Sequence, residues 1–448
     1  MDSGDKDGTG TDTGTTGAGA DTRPAGTVSP AGPVIDTDVC VVGAGPAGLA
    51  LTLMLLRSGV RVALAERSTA LRREFHGEVL QPGGQRILDE LGVLAAARAR
   101  GSLALSGFQV RERHRVLLDI DYGRLPAPYD HLLALPQPHL LAELLSACRR
   151  LPGFTHLEGH RISALLQQRP GAPCTGAVLK GPDRTPVTVR AAVVVGADGR
   201  FSRTRTLAGV DAGRSESFAQ DVVWFSLHAP GRATGKVAVH RAGGSAVLVQ
   251  DSHPDRLRIG WTLPHGGWGA LAGRGIEHIR RELTRALPQF ADLLHEQPAS
   301  LADLALLDVF AAHAGEWTRD GLVLVGDSAH THGPIGAQGI NLALQDAAVL
   351  HPVLLAALRR GPVTAASLAP YRQRRAAAAA AVHRMQKAQA RAMFGTGGGP
   401  LARLALAGAA GLVTRTPLGR KITRKVAYGT DPASVRTDLF TTAAVPAP

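Results

Sequence analysis

Three clusters of glycine and acid punctuate this 448-residue chain, and each has the residue types to hold a phosphate or a sugar. The first is Gly43-Ala44-Gly45-Pro46-Ala47-Gly48, which follows an apolar β-run from Val39 and opens a helical pattern, Leu49 to Leu56. A strand, a tight glycine turn and a helix start make a cradle for a pyrophosphate, because the first amides of a helix are unpaired and its dipole favours negative charge. Gly43 takes the turn, Gly45 leaves the phosphates room, and Gly48 lets helix and strand pack closely. A second β-run, Val60 to Ala65, ends in Glu66, with Arg67 behind it. That spacing puts the carboxylate near the ribose hydroxyls of an adenine dinucleotide, without choosing between FAD and NAD.

The second cluster follows the apolar run Ala191 to Val195 and reads Gly196-Ala197-Asp198-Gly199, with Arg205 a little further on. A carboxylate at the tip of a buried parallel strand lies where α/β sheets bind ligands, although Ala-Asp-Gly is also an ordinary turn. The third begins where Leu322 to Val325 delivers Gly326 and Asp327. A loop with Pro334, Gly336, Gly339 and Ile340 then enters a long helix from Asn341 to Arg359, whose first amides face whatever the loop holds. His330 and His332 lie between, but no third ligand is near in sequence, and no metal site is expected.

These clusters need elements to position them. The first sits on a βαβ unit, residues 37 to 66. A polar loop follows, with His76-Gly77-Glu78 inside it, then an amphipathic helix from Gly84 and short β-runs between 103 and 135. Gln137 stands between two prolines at the start of the helix Leu140 to Arg150, where a missing proline N–H costs nothing. Residues 218 to 265 alternate in β fashion over four runs, Val222 to His228, Lys236 to His240, Ala246 to Gln250 and Leu257 to Leu263, which suggests a sheet of its own. Ala- and Arg-rich helix covers 365 to 394, and the apolar stretch Leu401 to Val413 precedes Arg415, Arg420, Lys421, Arg424 and Lys425.

The expected fold class is α/β: a Rossmann-like dinucleotide-binding domain with a parallel sheet, which the family resemblance given below makes an FAD-binding domain, an inserted, mainly antiparallel β domain read with it as the substrate domain, and C-terminal helices. Residues 1–35 read as a disordered acidic Gly/Thr-rich tail. The FAD-binding domain is assigned 36–102, 136–217 and 305–360, the substrate domain 103–135 and 218–304, and the helical region 361–448.

Composition narrows the function further. The net charge of +13 is spread as single arginines and short pairs, and aromatics make up only 4%, so no nucleic-acid partner is expected. Cys40, Cys148 and Cys174 lie far apart without metal spacing, which suits a reducing cytoplasm. The polar start does not read as a secretory leader, and no apolar run reaches the roughly 20 residues of a membrane span. The basic C-terminal helices could lie on an anionic membrane surface, but packing against the protein body is the reading preferred.

Taken together and in order, the three clusters make the sequence resemble the class A flavoprotein monooxygenases, the para-hydroxybenzoate hydroxylase-like enzymes, over about residues 36 to 395. The resemblance implies non-covalent FAD, NADH or NADPH as reductant, molecular oxygen, and an electron-rich aromatic or polyketide-like substrate attacking a C4a-hydroperoxide of the flavin. By motif it places Gly43, Gly45 and Gly48 on the pyrophosphate and Glu66 on the adenosine ribose. Asp327 falls on the ribityl chain or pyrophosphate, and the Pro334 to Asn341 loop on the isoalloxazine edge. Asp198 and Arg205 match a shared FAD and NAD(P)H contact, and Gln137 a polar flavin contact. Many relatives carry arginine where this chain has His76. No catalytic base is assigned; His240, Trp261 and His265 are candidates to face a pocket. The oligomeric state is left open.

Three rivals share the cradle. A flavin-dependent halogenase would need a second tryptophan in Gly260-Trp261-Thr262-Leu263-Pro264 and a lysine soon after the cradle, and both are absent. A flavin-dependent dehydrogenase or reductase and a non-catalytic FAD-binding protein stay open.

Overall fold

A computed structural model describes residues 32–70, 77–113, 115–215, 220–242, 245–394 and 416–441. The tail up to residue 31, His76 and its neighbours, and the apolar stretch Leu401 to Val413 lie outside the described residues.

The βαβ unit forms as the pattern demands. Strand β1 (Val39–Val42) is fully buried, helix α1 (Pro46–Arg57) starts with proline in its first turn, and β2 (Val62–Glu66) runs parallel to β1. Strand β3 (Val193–Gly196) pairs parallel with the other edge of β1, and β4 (Leu322–Leu324) pairs parallel with β3. All three glycine–acid clusters thus leave neighbouring parallel strands at the same end. Six strands make this sheet, with Phe154–Glu158 at one edge and Thr318–Arg319, antiparallel, at the other. Strands this apolar are buried on both faces. α1 and the 22-residue helix α2 (Gly339–Arg360) pack against each other in the main core. By length and composition α2 could cross a membrane, yet 78% of its apolar window is buried inside the protein.

A seven-stranded sheet forms the second layer, built from Gly107–Glu112, Arg115–Asp121, Gln220–His228, Lys236–Ala242, Ser245–Ser252, Arg256–Pro264 and Ala305–Leu307. It is antiparallel except where Lys236–Ala242 meets Gly107–Glu112 in parallel. That exception follows from the insertion, since the chain visits the first domain between these two strands. Leu132–Ala134, expected with this sheet, pairs instead with Val79–Leu80 and Leu103–Leu105. Ala305–Leu307 extends this sheet, although its residues were expected in the first domain.

Alternation sorts the sheet's two faces. Val223, Phe225, Val249, Ile259 and Trp261 pack beneath the helix Ile276–Ala286. The opposite face carries Trp224, Leu248, Val237, Phe108 and Val110 toward the first domain. The 30-residue helix α3 (Ala365–Phe394) packs on α2, and α4 (Pro417–Tyr428) closes over the helix Pro82–Glu90.

Candidate active site

The two layers enclose one continuous cavity of about 1150 Å³. That is above the roughly 300–1,000 Å³ of an ordinary ligand pocket, so it has room for a dinucleotide and a second molecule. At one end it is lined by Gly43, Gly45, Pro46, Ala47, Glu66 and Arg67, and at the other by the apolar sheet face.

The glycine turn is built by close contact. Gly43 has φ of +108°, and a Cβ there would sit 2.4 Å from the Ala197 carbonyl oxygen. The first two clusters therefore touch. At Gly48 a Cβ would lie 2.0 Å from the Gly43 oxygen, so this residue shapes the turn without lining the cavity. Glu66 is buried; its carboxylate accepts from the Ala44 amide at 2.8 Å and the Ser68 amide at 3.0 Å. It braces the cradle as well as facing the cavity, while Ala44 lies behind the lining.

Asp198 lines the cavity, and its carboxylate also accepts from the Thr204 amide at 2.9 Å and from the Ser202 and Thr204 hydroxyls. Arg205 does not line it. Its guanidinium donates to the carbonyls of Ser328 at 2.8 Å and Arg200 at 3.0 Å, tying the second cluster to the third. Arg200, which the sequence reading passed over, lines the cavity with its Nε 3.9 Å from Asp327. Gln137 lines the cavity too, and its Oε1 has no hydrogen-bond partner among the described residues.

Asp327 is half-buried at the cavity wall, one residue past Gly326, whose amide donates to Asp346 at 3.0 Å. Asp346 lies on α2 and also accepts from His330 Nε2 and Arg375 Nε, each at 2.6 Å. Burial would raise this carboxyl, but the charges and hydrogen bonds of His330 and Arg375 outweigh it and bring its pKa down to about 2. His330 and His332 are joined at 3.0 Å, and burial holds His332 far below the usual histidine range. This buried chain anchors the third cluster.

The loop from Gly333 to Gln338 is held from behind by side-chain amides. Gln386 on α3 donates to the carbonyls of Gly333 at 2.8 Å and Ile335 at 2.7 Å. Gln81 and Gln338 both donate to the Gly336 carbonyl, at 2.9 and 3.1 Å. Asn341 does not line the cavity: its Oδ1 accepts from the Gln81 amide at 2.9 Å and its Nδ2 donates to Ala337 oxygen at 2.7 Å. Ala337 has φ of +50°, a strained conformation for a residue with a Cβ. Pro334, Gly336, Gly339 and Ile340 line the cavity beside the start of α2. With the carbonyls engaged, the helix's first amides are the polar groups left for an anion or a carbonyl-rich ring.

The far end is an apolar chamber walled by Phe108, Val110, Leu118, Trp224, Leu248 and Ile335, among others. Trp224 stands opposite Gly260, where a Cβ would fall 2.9 Å from the indole carbons, so the ring lies flat on that glycine. Arg258 sits 5.2 Å from the ring and is paired with Glu78, which also accepts from Ser252 at 2.8 Å. None of the three suggested pocket residues lines this chamber. Trp261 is in the opposite core, His240 is buried off the lining, and His265 bonds Asp221 at 2.9 Å. Strand alternation carried the signal that would have found Trp224: it is out of phase with the apolar Val223 and Phe225. Among the described residues one acid and histidine group, Asp221, His265 and Asp308, has metal-like spacing, and it stands apart from the His330–His332 pair.

The FAD binding domain family matches residues 36–386. The 6-methylpretetramide 4-monooxygenase of Streptomyces rimosus is 50% identical over 404 residues, 90% of this chain and 95% of that protein. Among solved structures, p-nitrophenol 4-monooxygenase from Pseudomonas putida has a TM-score of 0.71 at 20% identity, covering 89% of this chain and 100% of its own. Anhydrotetracycline hydroxylase from Streptomyces rimosus has a TM-score of 0.67 at 22% identity, covering 88% of this chain and 76% of its own. At those identities the two structures bear on the fold alone.

Proposed function

Because the chain belongs to the FAD binding domain family and is a class A FAD-dependent monooxygenase, we propose that it hydroxylates an electron-rich, fused-ring polyketide aromatic, with NADH or NADPH as reductant and oxygen as co-substrate. One observation carries this reading: a single cavity runs without a partition from the glycine cradle to an apolar chamber. A dinucleotide seated in the cradle would bring its ring system under the Pro334 to Ile340 loop, beside Trp224 and Ile335. The 50% identity over 404 residues to the 6-methylpretetramide 4-monooxygenase supports the fused-ring class.

The residues present suit FAD. The cradle has no side chain at Gly43 or Gly45, Glu66 faces it, and Gln137 brings an unpaired amide oxygen to the wall. When bound, FAD supplies the electron transfer and oxygen activation that no side chain here can perform. Gly45 and the start of α1 would receive the pyrophosphate, Glu66 the adenosine ribose, and Asp327 the ribityl hydroxyls. The amides at the start of α2 would stabilise negative charge on the ring edge. The apolar chamber excludes water, which keeps activated oxygen for the substrate and off the route to free peroxide. Trp224 and the residues around it orient the ring to be hydroxylated.

The test is reductant oxidation by the FAD-loaded protein with simple phenols and with fused-ring polyketide phenols, while peroxide and labelled oxygen are followed. A large stimulation by the fused-ring compounds, with label in the product and little peroxide, is expected. Turnover that leaves no label in the product would sink the reading in favour of a dehydrogenase.

A further inference from the structure

Helix α4 lies at the cavity, and its outer face has no part in the proposed reaction. Its sequence, Pro-Leu-Gly-Arg-Lys-Ile-Thr-Arg-Lys-Val-Ala-Tyr, has four cations and no acid. Gly419, Thr423 and Ala427 form its buried side, and a Cβ on Gly83 of the helix beneath would lie 3.1 Å from the Ala427 oxygen. Gln338 donates to the Val426 carbonyl at 3.1 Å and Arg86 lies 5.6 Å from the Tyr428 ring, so the helix is fastened in place. Thr423 and Val426 form part of the cavity wall, and Ile422, also on the lining but 40% exposed, stands at its rim.

The outer side is not what packing on the protein body would leave. Leu418 is 52% exposed and Ile422 40% exposed, two large apolar side chains one turn apart on the same stripe. Lys421 and Lys425 share that side, and Arg420 and Arg424 are exposed beside it. None of these four cations has a carboxylate partner among the described residues. A short helix with apolar residues between unpaired cations is the pattern that lies in a membrane interface, its long basic side chains reaching out to phosphate.

We propose that α4 docks this enzyme on an anionic lipid surface, with Leu418 and Ile422 entering the headgroup region and the four cations on lipid phosphates. Because the inner side of the same helix walls the cavity, docking sets the apolar chamber against the bilayer, where a poorly soluble fused-ring substrate would collect. The dock itself does not depend on the identity of the substrate.

A chain of net charge +13 will be drawn to any anionic surface, so the experiment has to separate site from bulk charge. The FAD-loaded full chain is sedimented with vesicles of phosphatidylcholine alone and of phosphatidylcholine with phosphatidylglycerol. Binding to the anionic vesicles only, weakened by salt, is expected. Arg420→Glu/Lys421→Glu/Arg424→Glu/Lys425→Glu should lower affinity by more than about a hundredfold. A control with the same charge change at exposed positions off the helix, Arg98→Glu/Arg190→Glu/Arg281→Glu/Arg372→Glu, should lose far less. Leu418→Gln, which changes no charge, should lose roughly three- to tenfold. FAD content and melting temperature confirm that each variant is folded. Equal loss in the control, or full binding by Leu418→Gln, overturns the proposal. So does wild-type protein that ignores the vesicles yet is retained on polyglutamate through the same four cations, which would point to an acidic protein partner.

Discussion

Replacing Asp346 by alanine should cost about 4 kcal/mol of stability, within the roughly 3–5 kcal/mol seen when one partner of a buried ion pair is removed. Arg375, its partner, has no exposed side-chain surface. Without Asp346 its guanidinium keeps one acceptor among the described residues, Gln345 Oε1 at 3.2 Å, and its Nη2 has none. His330 Nε2 and the Gly326 amide lose their acceptor too. The proton linkage gives an independent figure. The carboxyl is held at about 2 against a reference of 3.8, which corresponds to roughly 2–3 kcal/mol. Its folded value is depressed, so this stability is present above pH 3.8 and is lost as pH falls through about 2. The mutational cost is the larger because it also strands Arg375. For a chain of this size about 4 kcal/mol lowers the melting temperature by roughly 5 °C. The assay is thermal melting with excess FAD, followed by flavin fluorescence. Asp346→Ala/Arg375→Met should melt above Asp346→Ala, because it removes the stranded charge. A double variant melting below the single one would refute the argument that the buried charge dominates.

Three further outcomes are expected. Gly48→Ala places a Cβ 2.0 Å from the Gly43 carbonyl oxygen, and the purified protein should lose most of its flavin absorbance relative to protein absorbance. Gly260→Ala pushes on the Trp224 ring at 2.9 Å; KM for a fused-ring substrate should rise about tenfold or more with FAD content unchanged, and an unchanged KM would remove Trp224 from substrate binding. His351 is fully buried against Ser58, and burial, with Arg436 adding, pushes its pKa down to about 4. Its stability contribution is present above pH 6.5 and lost as pH falls toward 4, so His351→Gln should flatten the melting profile across that window.

The sequence made the glycine-cradle end of the cavity legible and the apolar end obscure, for physical reasons. Glu66 could be found because it ends the apolar strand that follows the glycine turn, and Asp327 because it follows Gly326 just past another, and those local patterns are enough to place both at the cavity wall. Arg205 matched a motif, yet it spends its donors on two carbonyls, and which way an arginine turns is set by partners far along the chain. The His330–Asp346–Arg375 chain joins residues from three separate elements, and no spacing rule connects them. Alternation separates Trp224 from Val223 and Phe225, but which face of the sheet looks on the first domain depends on a strand from the first third of the chain pairing in parallel with one far downstream. The position of α4 over the cavity follows from its contacts with the Pro82–Glu90 helix, which composition does not reveal.

Strand β3 lies between β1 and β4, and the loop before α2 completes the wall above the cradle. This order has a consequence for biosynthesis. The ribosome delivers the cradle early and β3 well after it, but β4 and the roof emerge only when residues near 340 have cleared the exit tunnel. At about 5–20 residues per second that interval is roughly 15–60 s. Until then the nascent chain offers glycines and Glu66 with nothing to close over them. Flavin capture is therefore expected only after the roof has formed, and cells that make this protein faster than they supply flavin should accumulate colourless polypeptide.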